Sequence, residues 1–126
     1  MSFWKRIQSL LRGEIDDDQE VGEIAVQQVV EVLPSELYTG EQVEVRYSGY
    51  LCSRDEPIYV HYGTSSGDGP WRRIEERLMH RRSDGVCTAI IELDDEPGQL
   101  HLCFRNDRGE WDNNYERNWT FPFIEG

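Results

Sequence analysis

Residues 42–51 read QVEVRYSGYL, a stretch in which apolar and polar side chains alternate. Successive side chains of a β-strand point to opposite faces, so a period of two is typical of a strand with one buried face. We therefore predict a β-strand over 42–51. Its expected inward residues are Val43, Val45, Tyr47, Gly49 and Leu51.

The same period of two recurs along the chain from residue 24 onward. It predicts strands over 24–32, 42–51, 57–62, 86–93, 99–105 and 119–124. Segment 71–82 also suits a helix through Ile74, Leu78 and Met79, but it lies between strands and we interpret it as one. Glycine-rich residues 63–70 and polar residues 106–114 are predicted loops. Seven or eight short strands indicate an all-β fold, an antiparallel β-sandwich over residues 24–126.

The first 23 residues have a different pattern. Residues 1–13 carry a net charge of +3, and a helix there would gather its apolar side chains on one face: Phe3, Trp4, Ile7, Leu10 and Leu11. Residues 14–23 hold six acidic residues and no basic one, so we predict an acidic linker after a short amphipathic N-terminal helix. That helix could pack on its own domain, on a partner protein or on an anionic membrane surface. The sequence leaves these three options open.

Charge and composition exclude several classes of protein. The 126 residues include 25 acidic and 13 basic ones, and the net charge of -12 disfavours binding to nucleic acid. We find neither a membrane-length apolar run nor the pattern of a secretory signal, so a cytoplasmic location is expected. The odd set Cys52, Cys87 and Cys103 contains no CxxC pair. We expect three reduced thiols packed in or against the core.

Motifs for catalysis are missing from this sequence. It has no HExxH, GxSxG or Walker pattern, and glycine-rich residues 63–69 lead into Pro70 and Trp71 instead of a lysine and a helix. We therefore expect no enzyme activity, no cofactor and no metal.

Three aromatic side chains stand at positions where a packed core does not require them. Trp71 follows a flexible loop, Trp111 lies in a polar loop, and His61 is on the outward face of its strand. A tryptophan in such a loop either folds back as an apolar plug or offers a flat platform to a ligand. His61 is either simply solvated or part of the same site.

Two segments carry a family resemblance. PIYVHYG at 57–63, then Trp71 after the glycine-rich loop, then FRNDRGEWDNN at 104–114 resemble the family 25 carbohydrate-binding modules, with family 53 a near relative. The resemblance covers residues 24–124. It implies an antiparallel β-sandwich that binds starch-like α-1,4-glucans without catalysis.

The resemblance also implies a set of binding residues. The family's sugar platform of one histidine and two tryptophans falls on His61, Trp71 and Trp111. Asn113 and Asn114 match its Trp-Asp-Asn-Asn motif and are expected to shape the loop or to bond sugar hydroxyls.

The sequence departs from the family pattern after Asn114. The family continues with a glycine and an aromatic residue, whereas this chain inserts Tyr115, Glu116 and Arg117 before Asn118. This bulkier loop is expected either to narrow the site or to add a stacking surface at Tyr115.

We therefore expect a protein that binds α-1,4-linked glucans, such as glycogen, starch or maltooligosaccharides. The helix over 1–13 would tether the glucan to a protein partner or a membrane surface. Two alternatives remain. One is a protein-interaction adaptor that kept the sandwich and lost sugar binding, and the other is a calcium-dependent module that uses Asp107, Asp112 and Asn113.

Overall fold

The computed structural model of the protein describes residues 29–126. The helix predicted over 1–13, the linker predicted over 14–23 and the start of the strand predicted over 24–32 lie outside the described residues. Within residues 29–126, no helix is long and apolar enough to cross a membrane.

The described residues form an all-β, antiparallel fold, as predicted. Nine strands lie between residues 29 and 126: β1 (Val30–Leu33), β2 (Gln42–Tyr47), β3 (Ile58–Ser65), β4 (Arg72–Leu78), β5 (His80–Arg81), β6 (Cys87–Glu92), β7 (Gly98–Asn106), β8 (Trp111–Asp112) and β9 (Trp119–Phe123). The number exceeds the predicted seven or eight, because β5 and β8 are strands of two residues each.

The strands form two sheets. The first has the order β1-β2-β6-β5, and the second has the order β4-β3-β7-β8 with β9 also paired to β7. All pairings between these strands are antiparallel.

One apolar core joins the two sheets. The expected inward residues of β2 are confirmed, since Val43, Val45 and Tyr47 are at most 1% exposed. They belong to the same buried cluster as side chains of the second sheet, among them Ile58, Val60, Leu100, Leu102 and Phe104. This shared core gives the described residues a sandwich-like arrangement.

The structure refines the bounds of four predicted segments. The strand predicted over 42–51 ends at Tyr47, because residues Tyr50–Ser53 form a 3-10 turn that buries Leu51. The loop predicted over 63–70 is shorter, since β3 continues to Ser65 and pairs with β7. The strand interpretation of 71–82 is confirmed by β4 and β5, which are separated at the buried Met79. The polar loop over 106–114 contains β8.

Candidate functional site

The site is built on the outward face of the second sheet. His61 of β3 is half-buried, whereas its neighbours Val60 and Tyr62 are buried in the core. In the pairing of β3 with β7, His61 lies opposite Cys103 and Gly63 lies opposite His101. Because side chains alternate along each strand, all four of these positions belong to one surface.

Three of the predicted site residues lie together on this surface. The ring centres of His61 and Trp71 are 6.4 Å apart, with the planes tilted by 36°. The ring centres of His61 and Trp111 are 5.4 Å apart, with the planes nearly perpendicular at 87°. We call His61, Trp71 and Trp111 the ring cluster. Its histidine lies between two tryptophans that are 40 positions apart in the sequence.

Trp71 rests on the sheet through two contacts. Its ring stacks on the ring of His101, with centres 4.9 Å apart and planes within 9°. It also lies over Gly63, where a Cβ atom would come within 2.9 Å of Trp71 Cε3. A side chain at position 63 would therefore displace the indole, so this position of the Trp71 ring requires glycine at residue 63.

His101 is a fixed, neutral support for Trp71. Ser65 Oγ lies 2.7 Å from its Nε2, and Thr120 Oγ1 lies 3.0 Å from its Nδ1. Burial lowers the pKa of His101 below its usual value, which keeps the ring uncharged at neutral pH. His101 was not among the residues predicted for the site. The feature of the sequence that could have indicated it is the place of His101 on the outward face of the strand predicted over 99–105.

A charged network fixes the orientation of His61. Its Nδ1 lies 3.1 Å from Glu76 Oε2. Arg105 donates to both oxygens of the same carboxylate, from Nε at 2.7 Å and from Nη2 at 2.8 Å. The guanidinium also lies 4.4 Å from the ring centre of Tyr59. Neither Glu76 nor Arg105 was among the predicted site residues.

Trp111 is held by its backbone and leaves its indole open. In β8 it pairs with Arg105 of β7, and its carbonyl accepts a hydrogen bond from the Tyr50 hydroxyl at 2.8 Å. The next residue, Asp112, accepts a hydrogen bond from the hydroxyl of the buried Tyr47, which ties β8 to the core. The Trp111 side chain remains 43% exposed. An exposed indole on a fixed strand is suited to a platform and not to a plug.

A buried asparagine shapes the turn before Trp111. Asn106 is 1% exposed, and its Oδ1 accepts hydrogen bonds from the backbone amides of Arg108 and Glu110, both at 3.0 Å. Its Nδ2 donates to Glu110 Oε1 at 2.7 Å. With its polar atoms bonded, the amide side chain sets the path of the chain into β8.

Asn113 and Asn114 shape the loop that follows β8. Asn113 Oδ1 accepts from the Glu116 amide at 3.0 Å, and its carbonyl accepts from the Asn118 amide at 2.7 Å. Asn114 Nδ2 donates to the Asn118 carbonyl at 3.0 Å. Of the two roles expected for this pair, loop shaping is thus visible in the contacts, and hydroxyl bonding stays a prediction.

The calcium-dependent alternative that uses Asp107, Asp112 and Asn113 stays a prediction. Between residues 29 and 126, no group of three or more His, Cys, Asp or Glu side chains could hold a metal ion. Of the three residues, Asp112 accepts the hydrogen bond from Tyr47.

No family model matches the chain. The chain is 29% identical over 86 residues to an α-amylase of Clostridium acetobutylicum, which corresponds to 68% of this chain and 10% of that enzyme. Among solved structures, an iodinated family 25 carbohydrate-binding module from a Bacillus halodurans amylase is similar, with a TM-score of 0.47 and 24% identity over 68% of this chain and 85% of that one.

Proposed function

We propose that the protein binds α-1,4-linked glucans without catalysis, through the ring cluster. The observation that carries the proposal is the convergence of His61, Trp71 and Trp111 on one outward sheet face, with neighbouring ring centres 5.4 and 6.4 Å apart. The motif resemblance and the similarity to part of an α-amylase point to the same class of ligand.

The chemistry of indole suits a sugar ring. The C–H faces of glucose are apolar and slightly positive, so they stack on the electron-rich face of an aromatic ring. An α-1,4-glucan curves along its length. Rings that are tilted with respect to each other therefore match successive sugars better than coplanar rings would.

His61 supplies a polar contact between the two tryptophans. Its Nδ1 is engaged by Glu76, so the opposite nitrogen Nε2 is the atom that meets a sugar hydroxyl. A histidine held in one orientation loses little rotamer freedom when the sugar binds.

Binding to a single site is expected to be weak, because the sugar hydroxyls give up water on binding. We expect a Kd of roughly 10 µM to 1 mM for a short maltooligosaccharide. Glycogen and starch present many chains, so tethered copies of the protein would gain avidity.

Calorimetric titration of maltoheptaose tests the proposal. The wild-type chain should bind, and both Trp71→Ala and Trp111→Ala should weaken binding at least about tenfold while remaining folded, since each removes a stacking surface. Ile90→Ala is the matched control, because Ile90 is an exposed apolar residue (53%) of β6 in the other sheet. It should bind like wild type.

A wild-type chain that binds neither maltoheptaose nor glycogen would contradict the proposal. The adaptor hypothesis would then be the better one.

We further propose that the glucan is tethered through residues 1–13. The apolar face and the +3 charge of that segment support docking on a protein partner or an anionic membrane surface. Co-sedimentation with vesicles containing phosphatidylserine, compared between the full chain and a chain lacking residues 1–13, distinguishes the membrane from a protein partner.

A further inference from the structure

The loop after β8 exposes an aromatic side chain to solvent, and its backbone adopts an unfavourable conformation there. Tyr115 is 87% exposed, and φ is positive at Asn114 (58°), Tyr115 (56°) and Glu116 (70°). Left-handed backbone is common for asparagine but unfavourable for residues such as tyrosine and glutamate. A residue held in such a conformation persists only where the surrounding structure enforces it, and such residues cluster at functional sites.

The surrounding structure does enforce it. Hydrogen bonds close the loop at its base, from the Asn118 amide to the Asn113 carbonyl (2.7 Å) and from Asn114 Nδ2 to the Asn118 carbonyl (3.0 Å). The Glu116 amide donates to Asn113 Oδ1 at 3.0 Å. Three asparagines therefore brace the turn that carries the exposed Tyr115. With 87% of its surface exposed, that ring contributes little to the core.

Tyr115 lines a groove that shares Trp111 with the ring cluster. The groove has a volume of about 370 Å³, and its lining includes Tyr50, Trp111, Asn113, Tyr115 and Trp119. Ligand sites of proteins have volumes of about 300 to 1,000 Å³. Trp111 belongs to both surfaces, because its indole also lies against His61. The groove and the ring cluster are therefore adjacent at Trp111.

We infer that this groove is an additional sugar subsite, which takes the residues of a longer α-glucan that extend past Trp111. Tyr115 stacks on one of these sugars, and the phenol hydroxyls of Tyr115 and Tyr50 meet their hydroxyl groups. The inference rests on the proposed function, since the chain that enters the groove is the one held by the ring cluster. It makes chain length a determinant of affinity.

The experiment compares a short and a long ligand, maltotriose and maltoheptaose, by calorimetric titration into the full chain. Tyr115→Asn is the informative variant, because asparagine tolerates the left-handed backbone and the loop is kept. It should weaken maltoheptaose binding about fivefold, as expected for one lost stacking contact, and leave maltotriose within about twofold of wild type. Tyr115→Phe keeps the ring and should retain most of the maltoheptaose affinity, and Ile90→Ala should match wild type with both sugars.

Each other outcome overturns the inference in an identifiable way. If Trp71→Ala abolishes binding but Tyr115→Asn leaves the affinity for both sugars unchanged, the ring cluster binds the glucan and the groove is not a subsite. If Tyr115→Asn weakens both sugars equally, Tyr115 acts on the ring cluster itself. If it strengthens maltoheptaose binding, the loop obstructs the groove. If the wild type binds neither sugar, the proposed function fails and the subsite fails with it.

Discussion

The orientation of His61 in the ring cluster depends on its contact with Glu76. Its partner Glu76 also receives two hydrogen bonds from Arg105. The hydrogen bonds from Arg105 lower the pKa of the Glu76 carboxyl most, and the contact with His61 lowers it further. Burial raises this pKa, but by less, so it lies below its usual value. Glu76 is therefore ionised at neutral pH and accepts hydrogen bonds from both partners.

Replacing Glu76 should weaken binding without unfolding the protein. Glu76→Ala frees the side chains of His61 and Arg105, and ordering them again on binding should reduce maltoheptaose affinity about threefold to tenfold. Glu76 lies on the surface, so its removal should lower the melting temperature by only about a few degrees.

A double-mutant cycle shows whether Glu76 acts through His61. If it does, adding Glu76→Ala to His61→Ala should cause no further loss of affinity. Additive losses in the double variant would mean that Glu76 does not act by positioning the histidine.

The sequence predicted some of these residues and not others, for a physical reason. His61, Trp71 and Trp111 are individually unusual, since each is a large aromatic at a polar or outward position. His101 and Glu76 are ordinary residues of their strands. Their roles come from which residues face each other across β3, β4 and β7, and strand register is a property of the fold that no local pattern determines.

At the scale of elements, the start of β4 is fixed by one buried carboxylate. Asp94 is 5% exposed and lies in the turn after β6. Two arginines contact this carboxylate: Arg72 Nε lies 2.7 Å from Asp94 Oδ2, and Arg73 Nη1 lies 2.9 Å from Asp94 Oδ1. The Thr64 hydroxyl of β3 also donates a hydrogen bond to Asp94. Because Arg72 directly follows Trp71, the contacts of Asp94 also fix the position of the Trp71 backbone at the start of β4.

Asp94→Asn should destabilise the protein by about 1–3 kcal/mol at neutral pH, because two guanidinium groups lose the charge they share. Burial raises the pKa of Asp94, but Thr64, Arg72 and Arg73 lower it more, so the folded value lies below the ordinary one. Its contribution is complete above the ordinary pKa of about 3.9 and is lost as the pH falls through the folded value.

Urea denaturation at pH 7 and near pH 3 measures this difference. The gap in unfolding free energy between wild type and Asp94→Asn should narrow at the lower pH. Asp95→Asn is the matched control, because the neighbouring Asp95 is exposed, and it should change stability little at either pH. A gap that is equal at both pH values would contradict the role assigned to the Asp94 charge.

The elements themselves were predictable where the period of two is clear. The strands predicted over 86–93, 99–105 and 119–124 agree with β6, β7 and β9 within one residue at each end. The 3-10 turn at Tyr50–Ser53 was missed because Leu51 is buried in either conformation. The left-handed loop at 114–116 was missed because its residue types do not favour that backbone.

For the whole molecule, the two sheets share a core drawn from Val30 to Phe123. We predict that a chain of residues 24–126 folds with the same stability as the full chain and binds maltoheptaose equally well. Denaturation midpoints and titrations of the two chains check this. A substantially less stable short chain would instead mean that residues 1–23 pack on the sandwich.

Two members of the ring cluster belong to hydrogen-bonded strands, and the third directly precedes β4 over Gly63 and His101. A surface of this kind changes shape little when it is occupied, so most of the conformational entropy lost on binding comes from the sugar chain. The protein would then discriminate among glucans by their own stiffness. A polymer that already follows the required curve in solution has less freedom to lose, and it should outcompete a more flexible chain made of the same sugars.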